Sequence, residues 1–269
     1  MLSNRTRIGS YFARDPKYLY DTQLHEIDRD LLEKIALEKE AEEVSLTTVN
    51  RVFEVVRAIL NRAHREWEWI DKVPVVRMRK IEKGRIRWLT VTEVNRLLAE
   101  LPSHLKDMAA FSLATGLRAS NVRCLQWRDV DLVKRHAWIH PDQAKTKRAI
   151  PVPLNDNAMA VLNARLGTNP QYVFTYQNHP VQKCSTKAWF NALKRAGIEN
   201  FRWHDLRHTW ASWHVQNGTS LQELQQLGGW ASFEMVLRYA HLSSHHLRDA
   251  ANRIGSISIT ATFGDVRCV

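Results

Sequence analysis

The residues best suited to chemistry fall in the last third of the chain and in one stretch upstream of it. His204-Asp205-Leu206-Arg207-His208 puts His204 and Arg207 at i, i+3, on one face of a helix-like stretch, where both can reach a single phosphate. Tyr239 follows in LGGWASFEMVLRYAHL (227–242), with Trp230 ahead of it. Arg118 lies upstream in ATGLRASNVRCLQW (114–127), and Lys145 sits between two strand-like runs. The planar fork of arginine gives bidentate hydrogen bonds to phosphate oxygens and does not lose its charge. A tyrosine oxygen can attack phosphorus, and the extra negative charge of the pentacoordinate state can be met by fixed cations and donors without a metal. The indole N–H of Trp230 is one more donor for a phosphate oxygen. Transfer of a phosphoryl group onto a side chain is the chemistry that suits these residue types.

Each residue also has a plainer reading. Arg118 follows Gly116, which could expose it in a tight turn, yet it also fits an ordinary surface arginine. Tyr239 fits a core tyrosine on an amphipathic helix with Met235 and Val236, and Trp230 is one of ten tryptophans. His204 and His208, at i, i+4, have the spacing of a zinc pair. No glutamate stands at the second position of an HExxH-type motif and no third ligand is evident, so no metal and no cofactor is called for. His208 alone reads as a structural hydrogen-bonding residue.

The elements that must position these residues emerge from periodicity. Ser45 to about Trp67 has Val49, Val52, Phe53, Val56, Ile59, Leu60 and Ala63 at helical spacing, Ser45 as N-cap, and Arg51, Arg57, Arg62 and Arg65 largely off the apolar stripe. A shorter helix spans Asp28 to about Glu42, with Leu31, Leu32 and Ile35 inward. Residues 71–87 hold seven Lys/Arg against two acids, with Pro74 and Gly84 as breakers, and read as a basic linker. Thr90-Val91-Thr92-Glu93 has capping-box spacing, and His104 to Thr115 is a helix stopped by Gly116. A β patch follows at Ala137-Trp138-Ile139 and Arg148 to Leu154, where Pro151 and Pro153 confine the strand to an edge. Helices dominate after residue 155, with a short helix over Ser243–Ile254 and a strand over 256–263 at the end.

Composition narrows the partner. Lys+Arg 39 against Asp+Glu 28 gives a net charge of +11, which attracts polyanions, nucleic acid first among them. No apolar run approaches a membrane span and the first residues lack the apolar core of a secretory signal. Three cysteines (Cys124, Cys184, Cys268), far apart and outside metal-ligand spacing, fit a reduced cytoplasmic setting.

Together TGLRASNV (115–122), AKTKRAIPVPL (144–154), HDLRHTWASW (204–213) and LGGW…RYAHL (227–242) make the C-terminal part of the chain resemble the tyrosine recombinases, specifically bacteriophage-type integrases. The resemblance implies a mainly α fold: a small helical core-binding domain plus a mostly α catalytic domain with a small antiparallel sheet, forming a clamp around DNA. The domains it suggests are 1–70 for core-DNA binding, 71–87 as interdomain linker, 88–254 for catalysis and 255–269 as a C-terminal tail. It implies Arg118 and Arg207 as phosphate-binding arginines, Lys145 (or Lys147) as general acid on the leaving 5′ oxygen and His204 as an aid to proton transfer. Trp230 stands where the family carries His or Trp, and Tyr239 at the nucleophile. Arg51, Arg57, Arg62, Arg77, Arg79, Lys80, Lys83, Arg85 and Arg87 are the expected DNA-backbone contacts.

Two departures accompany the match. Asn121 stands where the family often has an acid, which supplies no charge to position Arg118. Residues 1–70 offer two convincing helices where phage integrases have about four, which suggests a shortened, prophage-derived chain. The expected function is nucleoid-associated, site-specific recombination of duplex DNA through a 3′-phosphotyrosine, by a homo-tetramer, with host DNA-bending proteins as possible accessories and without ATP. A type IB topoisomerase and a DNA-binding remnant of a prophage integrase are the alternatives. The tail after Tyr239 is expected to act between subunits.

Overall fold

The computed structural model of the chain describes residues 22–81, 86–140 and 149–242. It divides into two compact units whose boundary in sequence falls between Gly84 and Arg85.

The first unit is a pair of helices, α1 (Arg29–Ala41) and α2 (Leu46–Arg65). The Asp28 carboxylate accepts the Leu31 N–H at 2.8 Å and the Ser45 hydroxyl accepts the Thr48 N–H at 3.3 Å, so both helices begin where an N-cap side chain satisfies the first free donors. Leu32, Ile35 and Ala36 of α1 and Val49, Phe53, Val56, Leu60 and Ala63 of α2 form the core. Each large apolar side chain so buried contributes roughly 1.5–3 kcal/mol. Ile59, predicted on the stripe, is exposed, because at 3.6 residues per turn it falls on the stripe's edge. Residues 71–81 do not behave as a free linker. Val73, Val76 and Met78 pack on this core, and the Asn50 side chain holds the Arg79 backbone at its N–H (2.7 Å) and its carbonyl (2.8 Å). Charge dominates the composition there and hides the apolar residues that turn inward.

The second unit begins with α3 (Val91–Glu100), opened by the predicted capping box of Thr90 and Glu93, then α4 (Ser103–Thr115) and the short α5 (Ala119–Arg123). Gly116 ends α4 at φ +66°, a left-handed conformation that side chains with a Cβ resist. Strands β1 (Val130–Asp131), β2 (His136–Ile139) and β3 (Ile150–Pro153) form an antiparallel sheet in that order, with Ala137 opposite Val152 and Ile139 opposite Ile150. β3 is an edge strand, and its exposed Pro151 and Pro153 alternate with buried Ile150 and Val152. α6 (Asp156–Arg165) follows, then a two-residue hairpin of β4 (Thr175–Tyr176) and β5 (His179–Pro180) turning through Gln177 and Asn178 at positive φ. The chain continues through α7 (Lys187–Arg195), α8 (Asp205–Gln216), α9 (Leu221–Gly228) and α10 (Glu234–Leu237). The segment with Lys145 and Lys147, Lys83 and Arg85, and the helix and strand expected after Tyr239 lie outside the described residues.

α8 is the central element. Leu206 enters the main core with Leu97, Met108, Phe111 and Trp189, while Trp210, Ala211 and Val215 build a second cluster with Leu224, Val236 and Tyr239. Polar ties add to this grip: the Leu89 N–H donates to the Thr209 hydroxyl at 3.1 Å and the Trp213 indole donates to the Leu89 carbonyl at 3.0 Å. A helix buried on opposite faces holds its side chains in fixed directions. Among the described residues no helix is long and apolar enough to cross a membrane.

Candidate functional site

Arg207, one turn into α8, is 4% exposed. Its two terminal nitrogens donate to the carbonyls of Gly116 and Gly228, each at 2.6 Å, and its guanidinium carbon lies 4.1 Å from the Trp230 ring centroid. Two of the five donors of the fork are thus fixed to backbone, and the other three have no partner among the described residues. Burial, then repulsion from Arg118, brings Arg207 down to about 9, with Tyr239 opposing. It stays cationic at neutral pH.

Arg118 occupies the N-cap of α5 just beyond the Gly116 turn and is half-buried, which lowers its pKa. Its charge is felt at both Arg207 and His204. Among the described residues no carboxylate pairs with either arginine, so the two repel each other and an anion relieves the repulsion. The carboxylate of buried Asp205 is turned to the N–H of Arg202 at 2.8 Å.

His204 sits at the N-cap of α8, with its ring edge-on to His208 at 5.2 Å between centroids. Burial first, then the charge of Arg207, lowers its pKa. Trp230 follows the left-handed Gly229, and its ring stands 6.1 Å from that of Tyr239 and 6.0 Å from that of Trp210. Tyr239 is 1% exposed, and its hydroxyl is 2.6 Å from His208 Nδ1. Burial pushes its pKa up to about 12, with Arg207 and Arg238 opposing. Neighbouring arginines favour a tyrosine oxyanion. They act in that direction, but desolvation is the larger effect.

The structure thus gathers Arg118, His204, Arg207, Trp230 and Tyr239 around the start of α8. β3, which leaves the segment carrying Lys145, touches the same wall, since a Cβ on Gly229 would lie 2.8 Å from Ile150 Cδ1. Three features were not read from the sequence: the Gly116 and Gly228 carbonyls that hold Arg207, and the His208–Tyr239 contact. The Gly228-Gly229 pair was the available signal for close approach, while nothing in the spacing of His208 pointed to Tyr239. Among the described residues no cluster of three His, Cys, Asp or Glu side chains is placed to hold a metal ion.

The basic residues expected on DNA divide. Arg57, Arg77 and Lys80 are exposed. Arg51 and Arg62 are exposed and pair with Glu54 and Glu66 at 2.6 and 2.7 Å, solvent-screened surface pairs that a phosphate can displace. Arg79 is different: it donates to Glu33 at 2.8 and 3.1 Å and to Glu40, which neutralises it inside the first unit and raises its pKa. Arg87 pairs with Glu93 at 2.6 Å and serves the start of α3. These two arginines thus have carboxylate partners within their own units.

The fold is that of the tyrosine recombinases. It matches the Tn1549 transposon integrase in complex with circular intermediate DNA at a TM-score of 0.70 and 17% identity, covering 88% of this chain and 87% of that one. The lambda integrase dimer bound to a core site matches at 0.72 and 19%, covering 87% of each chain. Residues 87–246 match the model of the Phage integrase family, and the chain belongs to that family. The integrase of Salmonella phage P22 is 46% identical over 215 residues, 75% of this chain and 56% of the relative. This chain therefore spans little more than half the length of that relative. The integrase of Escherichia phage 186 is 29% identical over 94% of this chain and 73% of its own length.

Proposed function

We propose that this chain is a site-specific DNA strand transferase that cuts and rejoins duplex DNA through a 3′-phosphotyrosine on Tyr239. The observation that carries the reading is the fixed guanidinium of Arg207, locked to two backbone carbonyls beside Trp230, with Arg118 and the Tyr239 hydroxyl in the same cluster. Tyr239 Oη attacks phosphorus. Arg118 and Arg207 take up the charge of the pentacoordinate state, the Trp230 N–H donates to a non-bridging oxygen, and Lys145 protonates the departing 5′ oxygen. Reversal with a different 5′-hydroxyl rejoins the strand and retains the phosphodiester energy, so ATP has no part to play. The reading extends to a homo-tetramer on DNA, assisted by host DNA-bending proteins and acting at the nucleoid. The naming of the P22 and phage 186 relatives as integrases supports recombination over topoisomerase action.

The test is covalent trapping on nicked duplexes tiled across the DNA that flanks its gene, where the nick lets the short downstream fragment bearing the freed 5′-hydroxyl leave and the adduct accumulate. The unaltered chain forms a denaturation-resistant adduct on a subset of duplexes. Tyr239→Phe binds these within about twofold, since binding rests on the basic surface, and forms none. An adduct with the Phe variant assigns the nucleophile elsewhere; DNA binding with no adduct from the unaltered chain favours the remnant reading.

A further inference from the structure

The side chain in contact with the nucleophilic oxygen is not the histidine that the family resemblance implicates. His208 Nδ1 lies 2.6 Å from Tyr239 Oη, whereas the His204 ring makes a T-shaped contact with the His208 ring, 5.2 Å between centroids. We propose that His208 is the base that accepts the Tyr239 phenolic proton as the oxygen attacks phosphorus, a proposal that rests on the strand-transfer reading above.

The contact has the geometry of a proton path. A phenol can donate to Nδ1 only if the ring proton is on Nε2, which makes that tautomer the reactive one. The step balances: the Tyr239 O–H proton moves to Nδ1 while an oxygen lone pair forms the O–P bond. The P–O5′ bond breaks, its electron pair leaves on the 5′ oxygen, and that oxygen takes a proton from Lys145. Rejoining runs the same path backwards, with His208 returning its proton to the tyrosine oxygen.

The surroundings explain why the free protein does not ionise its own nucleophile. The groups facing His208 are His204, Asp205 and Arg207 on its own helix and Arg238 and Tyr239 from the α10 end. Burial, then His204, Arg238 and Arg207 bring His208 down to about 4, with Asp205 opposing. The imidazole is therefore neutral, with a free lone pair, at physiological pH. Tyr239 sits near 12, so proton transfer ahead of attack is strongly uphill. A phosphodiester in the site adds negative charge that favours the imidazolium, and the forming O–P bond removes the need for a free phenolate.

The experiment measures adduct formation under single-turnover conditions between pH 6.5 and 8.5, on the nicked duplex most reactive with the unaltered chain. His208→Ala and His208→Asn, the latter keeping a hydrogen-bond acceptor without basicity, are expected to slow it by about 10²–10⁴-fold. Their residual rates should rise about tenfold per pH unit as hydroxide replaces the base, while the unaltered chain varies little. Added imidazole should rescue the Ala variant in proportion to its unprotonated fraction. DNA affinity and thermal unfolding establish that at least one variant is folded. An Asn variant within threefold of the unaltered chain overturns the proposal. So does a slowing that is equal at every pH and indifferent to imidazole, which marks a packing role. Absence of adduct from the unaltered chain overturns the strand-transfer reading itself and this proposal with it.

Discussion

Arg207→Lys keeps a cation at the site while removing the fork, and its consequences follow from the environment of the guanidinium. One ammonium cannot reproduce two donors aimed at the Gly116 and Gly228 carbonyls, each now at 2.6 Å. A buried carbonyl left unpaired costs about 1–3 kcal/mol, and loss of the stacked guanidinium over Trp230 about 0.5–2, so the variant should be about 2–4 kcal/mol less stable. Cleavage should fall by the ~10²–10³-fold typical of losing one oriented donor. A second effect is sharper. Burial and Arg118 bring Arg207 down to about 9, and the same surroundings should bring a lysine, which begins roughly two pH units lower, to about 7. A depressed ammonium is charged below that value and neutral above it, so its contribution is present at pH 6 and lost by pH 8.5. The ratio of variant to parent rates should therefore fall about tenfold per pH unit above pH ~7. The assay is the second-order rate of adduct formation on nicked DNA at subsaturating concentration, where protonation of the free protein governs the profile. A ratio that stays constant from pH 6 to 8.5 would refute the argument that burial sets the charge of this position.

Gly116→Ala should destabilise by about 2–5 kcal/mol and reduce cleavage, because its Cβ would overlap the Trp210 ring at φ +66° and displace the carbonyl that holds Arg207. Gly167→Ala, at φ +77° with nothing within 4 Å, should cost only about 1 kcal/mol and leave cleavage intact; urea unfolding and the adduct assay compare the two. His208 is held near 4, below the ~6.5 of an unfolded histidine, so its stability contribution is complete above pH 6.5 and lost as the pH falls toward 4. The urea midpoint of His208→Asn should consequently drop less than that of the unaltered chain between pH 7 and 4.5, and an equal drop would count against the shift. Lys145→Ala should cleave slowly on ordinary DNA and be rescued by a bridging 5′-phosphorothiolate, whose thiolate leaves without a proton. Rescue of Lys147→Ala in its place moves the general acid by two residues.

What the sequence made legible is what depends on local rules. The starts of α1, α2 and α3 were readable because Asp28, Ser45 and Thr90 cap their own helices within three residues. Pro151 and Pro153 announced the edge strand, and Gly116 the end of α4. The apolar role of residues 71–81 was masked because the seven cations of residues 71–87 outweigh the few residues that turn inward. The short strands β1, β4 and β5 carry too few residues for a period to register. At the site, residue types and order were enough to name Arg118, His204, Arg207, Trp230 and Tyr239 as candidates. Backbone acceptors leave no trace in residue type, so the partners of Arg207 could not be read, and the His208–Tyr239 bond joins positions thirty-one residues apart. The internal role of Arg79 was invisible for a related reason: Glu33 and Glu40 reach it only after α1 folds.

The site is best understood as a wall made from helix ends, and this explains which residues surround it. Arg207 is held by the last carbonyl of one helix turn, at Gly116 beyond α4, and by that of another, at Gly228 closing α9. Carbonyls at helix C-termini have no intrahelical donor and carry the negative end of the dipole, so a guanidinium satisfies both needs at once. Both glycines are also places where a Cβ would overlap a tryptophan, Trp210 at Gly116 and Trp230 at Gly228, and the two tryptophans lie 6.0 Å apart in a stacked arrangement. Of the rings that fill the space left by the missing Cβ atoms, Trp230 also faces the arginine and reaches Tyr239, and Trp210 backs it. Packing of the second cluster and placement of the phosphate-binding fork are one arrangement. Trimming Trp210 or Trp230 loosens the clamp on Arg207 as it opens a cavity, and loss of stability and loss of strand transfer at these positions should rise together.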